Sequence, residues 1–120
     1  MFKRLGLYLQ HDLPLPEAIR LVQYAELRGF ETVWQPERVL ARDAFVALAA
    51  FAATTTRIKL GTAVIDPWTR NAGLLATTLL TLDDLAPDRV ICGLGLWTDR
   101  EAFAVGIDRQ RPLPAIRELT

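Results

Sequence analysis

The chain has 120 residues, one domain at most on the usual length scale, and 51% of them are apolar, so it can bury a core. Its 14 lysines and arginines balance 14 aspartates and glutamates, which leaves no basic surplus to attract nucleic acid or an anionic membrane. The first apolar run is too short, before Gln10, His11 and Asp12, for a signal peptide or a membrane span, and one histidine with one cysteine does not suit a His/Cys zinc site, so the expectation is a soluble cytoplasmic protein without a metal.

Leu5 to Leu9 form a short continuous apolar run, the pattern of a strand covered on both faces. His11 and Asp12 lie just beyond it. Pro14 and Pro16 fix the entry to a helix, Pro16 being suited to the first helical position, where a missing amide costs nothing. Ala18, Val22 and Ala25 recur at spacings of four and three, giving one apolar stripe, and Gly29 offers a left-handed stop. Thr32, Val33 and Trp34 make a second strand, closed by Pro36, with Glu37 and Arg38 on the loop beyond. Asp43 is placed to cap a helix that runs from Ala44 to the threonines at Thr54 to Thr56. That helix is apolar almost all round, which predicts burial in a larger protein or against a partner subunit.

Arg57 to Asn71 read RIKLGTAVIDPWTRN, an apolar strand followed by an Asp-Pro break, an aromatic and an arginine. Thr62, Ala63, Val64 and Ile65 form a small, largely apolar wall, and Asp66, Trp68, Thr69 and Arg70 follow at once. A flat apolar surface beside a few convergent polar groups is the make-up of a small-molecule site; a buried strand ending in an ordinary turn is the plainer alternative. A helix from about Asn71 to Ala86 carries Leu75, Leu79 and Leu82 as its stripe, and Pro87 and Asp88 turn the chain back. Val90 to Leu96 form a fourth continuous apolar strand, in which Cys92 is expected to be a small buried side chain. Trp97, Thr98 and Asp99 end it, and Pro112 begins a last helix.

Strand and helix alternate four times, which implies right-handed crossovers and a parallel sheet with helices outside it. Both an open doubly wound sheet and part of an eightfold barrel satisfy this. The first calls for a glycine-rich phosphate turn after its first strand, and HDLPLP offers none; GLGLWT has Thr98 where a third glycine belongs. In a barrel, the carboxyl ends of the strands meet on the ligand-binding face. His11 with Asp12, Glu37 with Arg38, Asp66 with Trp68 and Arg70, and Trp97 with Asp99 each end one strand, and their joint arrival at one end favours a site. Histidine is the residue type suited to proton transfer near neutral pH, so His11 is a proton-transfer candidate, or a turn histidine bonded to backbone. Glu37 is an acid or base candidate, or a partner of Arg38. Trp68 and Trp97 are pocket walls or rim packing, and Arg70 holds an anion or pairs with Asp66.

AELRGFETVWQPER at 25–38, RIKLGTAVIDPWTRNAGLLATTLLTLDDLAPDRVICGLGL at 57–96 and the closing VGIDRQRPLPAIREL carry a resemblance over essentially the whole chain. It resembles the N-terminal part of the luciferase-like monooxygenase superfamily, in particular its coenzyme F420-dependent branch, related to methylenetetrahydromethanopterin reductase. The resemblance implies an α/β fold of the (β/α)8 TIM-barrel type, with only the first four β/α units in this chain, and a site for F420, or alternatively FMN, at the C-terminal mouth. It implies that Thr62, Ala63, Val64 and Ile65, with Asp66, back the tricyclic ring, with a non-prolyl cis peptide somewhere in Ala63 to Ile65. On this reading His11 and Glu37 are the catalytic candidates, and Trp68, Arg70 and Trp97 contact a small-molecule substrate. The resemblance also implies a homodimer through the second and third helices, which would account for the apolar helix. Sugar-phosphate and alcohol dehydrogenases of the superfamily typically have histidine where Arg38 stands and glutamate where Leu96 stands; their absence favours a reductase or monooxygenase. A complete barrel needs roughly 250 residues, so a half-barrel alone is expected to expose its first and fourth strands and to self-associate or complete itself with a partner chain.

Overall fold

In the computed structural model, which describes residues 4–109 and 111–120, the four strands lie side by side in chain order and every neighbouring pair is parallel. They are β1 (Gly6–Tyr8), β2 (Thr32–Gln35), β3 (Lys59–Thr62) and β4 (Val90–Ile91). The crossovers are α1 (Leu15–Leu27), α2 (Ala44–Thr54) and α3 (Ala72–Leu85), followed by α4 (Asp99–Ala104) and α5 (Pro112–Leu119). The result is an α/β fold built on a four-stranded parallel sheet.

Register explains the core. Leu7, Val33, Leu60 and Val90 are cross-strand partners in one row, and Val33 and Leu60 have no exposed surface. Against this row pack the α1 stripe of Ala18, Val22 and Ala25, then Phe45, Leu48 and Phe51 of α2, then Leu75 and Leu82 of α3, with Leu79 partly buried beside them. The helices start where short polar side chains can serve free amides: Asp43 Oδ1 accepts from the Val46 amide and Asn71 Oδ1 from the Leu74 amide, each at 2.9 Å. Gly29 at φ +83° makes the left-handed turn after α1, and the helix begins at Leu15 with Pro14 as its cap, so Pro16 is its second residue.

Several expectations change. α2 lies between α1 and α3 and against β2 and β3, so most of its apolar surface is used within the chain, and Val46, at 63%, is its large exposed side chain. β1 is not covered on both faces, because nothing described lies on the side away from the helices: Tyr8 is 47% exposed. On that open face the Trp34 indole spreads over the sheet, and a Cβ at Gly61 would lie 2.4 Å from its ring and one at Gly6 3.1 Å from its nitrogen. β4 is two residues long, not seven, although Leu94 makes a further parallel bridge to Ile65. Cys92 is exposed rather than buried, since β4 is the edge of the sheet and no described strand covers it. α4 was not anticipated, although Thr98 and Glu101 form a capping box there, the Thr98 hydroxyl accepting from the Glu101 amide and the Glu101 carboxylate from the Thr98 amide. Among the described residues no helix is long and apolar enough to cross a membrane.

Candidate functional site

At the carboxyl end of β3 the chain leaves the ladder. The peptide between Ala63 and Val64 is cis, within the segment where the resemblance expects one. Thr62 is buried and its hydroxyl accepts from the Gly93 amide at 2.8 Å and bonds the Gly93 carbonyl at 2.9 Å. Ile65 rejoins the sheet, donating its amide to the Gly93 carbonyl at 2.8 Å and accepting from the Gly95 amide at 2.9 Å, with its side chain fully buried. Of the four wall residues, Ala63 and Val64 alone keep part of their surface open. The glycines of the GLG run make this closeness possible. A Cβ at Gly93 would lie 2.2 Å from the Thr62 carbonyl oxygen, and one at Gly95 2.3 Å from a Val64 methyl. Their role is close backbone approach.

Asp66 is a staple between two loops. It is 1% exposed; Oδ1 accepts from the Trp68 amide at 2.9 Å and Oδ2 from the Trp97 amide at 2.6 Å. Its carbonyl accepts from the Thr69 hydroxyl at 2.9 Å. Both carboxylate oxygens are thus engaged by backbone, and the side chain fixes the distance between the ends of β3 and β4.

Glu37 and Arg70 come together, in a pairing that neither simple alternative anticipated. Arg70 Nη2 lies 3.3 Å from Glu37 Oε1 and 2.7 Å from Asp43 Oδ2, with its guanidinium 4.8 Å from the Phe45 ring centre. Glu37 Oε2 accepts from the Ala44 amide at 2.9 Å, at the first turn of α2. Arg38 instead lies 3.4 Å from Glu101, and Asp66 does not pair with Arg70. The Thr98 amide and hydroxyl, with Arg38, hold the Glu101 carboxyl below its ordinary value despite some burial.

The remaining candidates are more scattered. His11 is exposed, and no hydrogen bond joins it to another described residue. Trp68 is covered by the Arg109 guanidinium at 5.1 Å, which in turn pairs with Asp99 at 2.7 Å. Trp68 and Arg70 line a cavity of about 620 Å³ closed on the other side by Arg111, Pro114 and Glu118 of the α5 region. Trp97 lines a different one, of about 280 Å³, with the β2–α2 loop. Two residues were not singled out from the sequence: Arg42, one more charge on the polar loop at this end, and Trp34, whose strand position makes it look like ordinary core but which lies on the open sheet face over Gly6 and Gly61. The glycines opposite Trp34, at 6 and 61, were the available signal for an aromatic lying flat on a strand.

The fold and this arrangement define a class. Residues 2–120 match the sequence profile of the luciferase-like monooxygenase family, and the chain belongs to that family. It is 34% identical over 109 residues to the 5,10-methylenetetrahydromethanopterin reductase of Methanolobus tindarius, a match covering 88% of this chain and 33% of that protein. Its backbone is similar to the coenzyme F420-dependent tetrahydromethanopterin reductase of Methanopyrus kandleri, with a TM-score of 0.86 and 27% identity over 97% of this chain and 38% of that one. A type II Baeyer-Villiger monooxygenase from Pseudomonas putida, solved with FMN, shares the fold at a TM-score of 0.86 and 18% identity over 99% of this chain and 38% of its own. The chain therefore spans about a third of the length of the relatives it matches.

Proposed function

We propose that this chain forms the first four β/α units of a TIM-barrel flavin- or deazaflavin-dependent oxidoreductase, with coenzyme F420 as the favoured cofactor and FMN as the alternative. The observation that carries the reading is the carboxyl end of β3, where Ala63 and Val64 present half-open apolar surface backed by Gly95 against a Val64 methyl. These residues fit one face of a planar ring: they are apolar, anchored by ladder bonds on both sides, and lie at the end of the sheet where parallel α/β folds bind ligands. When bound, such a cofactor supplies the hydride or oxygen chemistry. The protein orients the ring and excludes water from it. In this reading Ala63 and Val64 touch the ring, Thr62, Ile65 and Asp66 hold the segment that presents them, and Trp68, Trp97 and Arg70 shape the substrate side. His11 is the proton-transfer group, and Glu37 acts by positioning the β2–α2 loop, since both its oxygens are engaged. The F420-dependent reductase of Methanopyrus kandleri supports F420, while the FMN-bound fold relative keeps the second cofactor in play.

The decisive measurement is titration of the purified chain with F420 and with FMN, following cofactor fluorescence. Saturable binding is expected, and Val64→Glu should weaken it about tenfold or more by setting a charge against the ring. If a folded, soluble sample binds neither cofactor, the reading fails for this chain. A second reading has its own support: the uncovered sheet face, with Tyr8 exposed at 47%, favours a half-barrel that self-associates or is completed by a partner chain. A homodimer through α2 and α3 is a further proposal, supported by an apolar groove of about 290 Å³ between Phe45, Ala49, Leu82 and Leu85. Sedimentation tests self-association: a monodisperse monomer at micromolar concentration contradicts both the self-associating half-barrel and the homodimer. A cytoplasmic setting is proposed with them.

A further inference from the structure

The open face of the sheet is built like an interior. Tyr8, Trp34, Gly61 and Ile91 are cross-strand partners in one row, one residue on from the row under the helices, and none carries a charge. Trp34 lies low across its neighbours because Gly61 and Gly6 leave room for it. Glycine weakens a strand, so two of them beside one ring are costly on a surface that only meets water. Alternation of large and small side chains is how narrow barrels fill their inside. The charged groups of this face, Arg4, Glu31 and Lys59, stay at the amino ends of the strands, around a cavity of about 400 Å³. All-parallel sheets are covered on both faces, and the described residues supply only one cover.

The two edges match as well. The Leu5 carbonyl accepts from the Glu31 amide at 2.8 Å and the Leu9 amide donates to the Trp34 carbonyl at 3.0 Å, so the backbone groups of Gly6 and Tyr8 point away from β2. On β4 the Arg89 and Gly93 carbonyls accept from the Leu60 and Ile65 amides, so the backbone groups of Val90 and Cys92 point away from β3. Each edge thus offers two outward residues at the same spacing, and neither edge has a ladder partner among the described residues.

We propose that two copies of this chain close on each other about a two-fold axis along the strands, β4 of each beside β1 of the other, to form an eight-stranded parallel barrel. Four strands from each copy make the eight that such a barrel needs, and one rotation makes both seams identical and leaves no edge. Barrel strands tilt right-handed with a total shear of about eight residues, so each seam slips by about four toward the start of β1. Cys92 of one copy then falls opposite Leu5 of the other. Both lie on the helix side at an uncovered edge, and both are exposed in the single chain. The carboxyl ends of all eight strands share one mouth, so each wall at Ala63 and Val64 gains a facing half that one chain does not supply. The closure rests on the self-associating half-barrel reading and not on the cofactor reading.

The test is covalent trapping of the purified chain carrying Leu5→Cys, with native Cys92 as the second thiol. Within one chain the two positions lie three strand spacings apart, about 14 Å, too far for a disulfide. Sedimentation is expected to show a dimer at micromolar concentration, and mild oxidation to give a covalent dimer without longer oligomers, because two seams close the ring. Ile91→Lys leaves its charge in water in a single chain but buries it in the closed barrel, so it should weaken the dimer about a hundredfold or more. A ladder of higher oligomers, no crosslink in a sample that sediments as a dimer, trapping through Val46→Cys on α2 but not through Leu5→Cys, or a dimer indifferent to Ile91→Lys overturns the closure and leaves self-association standing. A monodisperse monomer overturns both.

Discussion

Under the helices, Val33, Leu60, Ile58, Leu48 and Phe51 are sealed with no exposed surface; on the opposite side of the same sheet, Tyr8 stands half exposed beside Trp34. Both sides are rich in apolar and aromatic groups, so residue type does not separate them. What separates them is whether another layer lies above. On the helix side, burial converts apolar area into stability at roughly 25 cal/mol per Å². On the open side the same chemistry leaves a surface suited to contact, as exposed apolar patches of this kind usually are.

Substitutions on the two sides should therefore differ most. Phe51→Ala on the helix side is expected to lower unfolding free energy by about 3 to 5 kcal/mol, read from urea denaturation. A loss below about 1 kcal/mol would mean that the core is less tightly packed than its burial suggests. Next comes Glu26, which ties the end of α1 to the approach of β3 by accepting from the amides of Thr56, Arg57 and Ile58, at 2.6 Å for Arg57 and 2.7 Å for Ile58. Burial raises the Glu26 carboxyl, but the three amides and Arg57 outweigh it and hold the group below its ordinary value. A lowered folded-state value means that the charged form stabilises the fold: the contribution is complete above the ordinary carboxylate value and is lost as pH falls through the lowered one. Glu26→Gln should cost about 2 kcal/mol at neutral pH and flatten the acid limb of stability against pH. An unchanged acid limb would remove Glu26 from that role.

Gly61→Ala should cost on the order of 1 kcal/mol, the low end for overpacking, because the Trp34 ring it strikes can shift toward the open side. A much larger cost would mean that Trp34 is held from above, by another copy or chain. The smallest effect belongs to Tyr8→Ser, within about 0.5 kcal/mol for a monomer. If the loss instead grows with protein concentration, the open face is an interface, and the contrast between the two sides disappears in the assembly.

Local pattern carried much of the fold. The stripe at Ala18, Val22 and Ala25, the cap at Asp43 and the stop at Gly29 are near-neighbour chemistry, and each is found in the structure. Where the sequence misled, the cause was nonlocal. The apolar run from Val90 to Leu96 reads as one strand, but Gly93 and Gly95 serve the bulge of β3, and the ladder of β4 ends at Ile91. Cys92 looked interior because its neighbours are apolar, yet an edge strand has one uncovered side. The capping box at Thr98 and Glu101 was visible, but six residues give too little periodicity to announce a helix. At the site, Glu37 and Arg70 lie in different crossovers, and their meeting depends on how two loops pack rather than on either segment. The same holds for Trp97 beside Arg38 and Arg42.

The two-handed grip of Asp66 makes the loops after β3 and β4 a single kinetic unit. One carboxylate protects the Trp68 and Trp97 amides together, so an opening that frees one frees the other. In hydrogen exchange these two amides should share one opening free energy, although they belong to different β/α units, and Asp66→Ala should speed both by a similar factor. A ligand settling on either loop would then slow exchange on both.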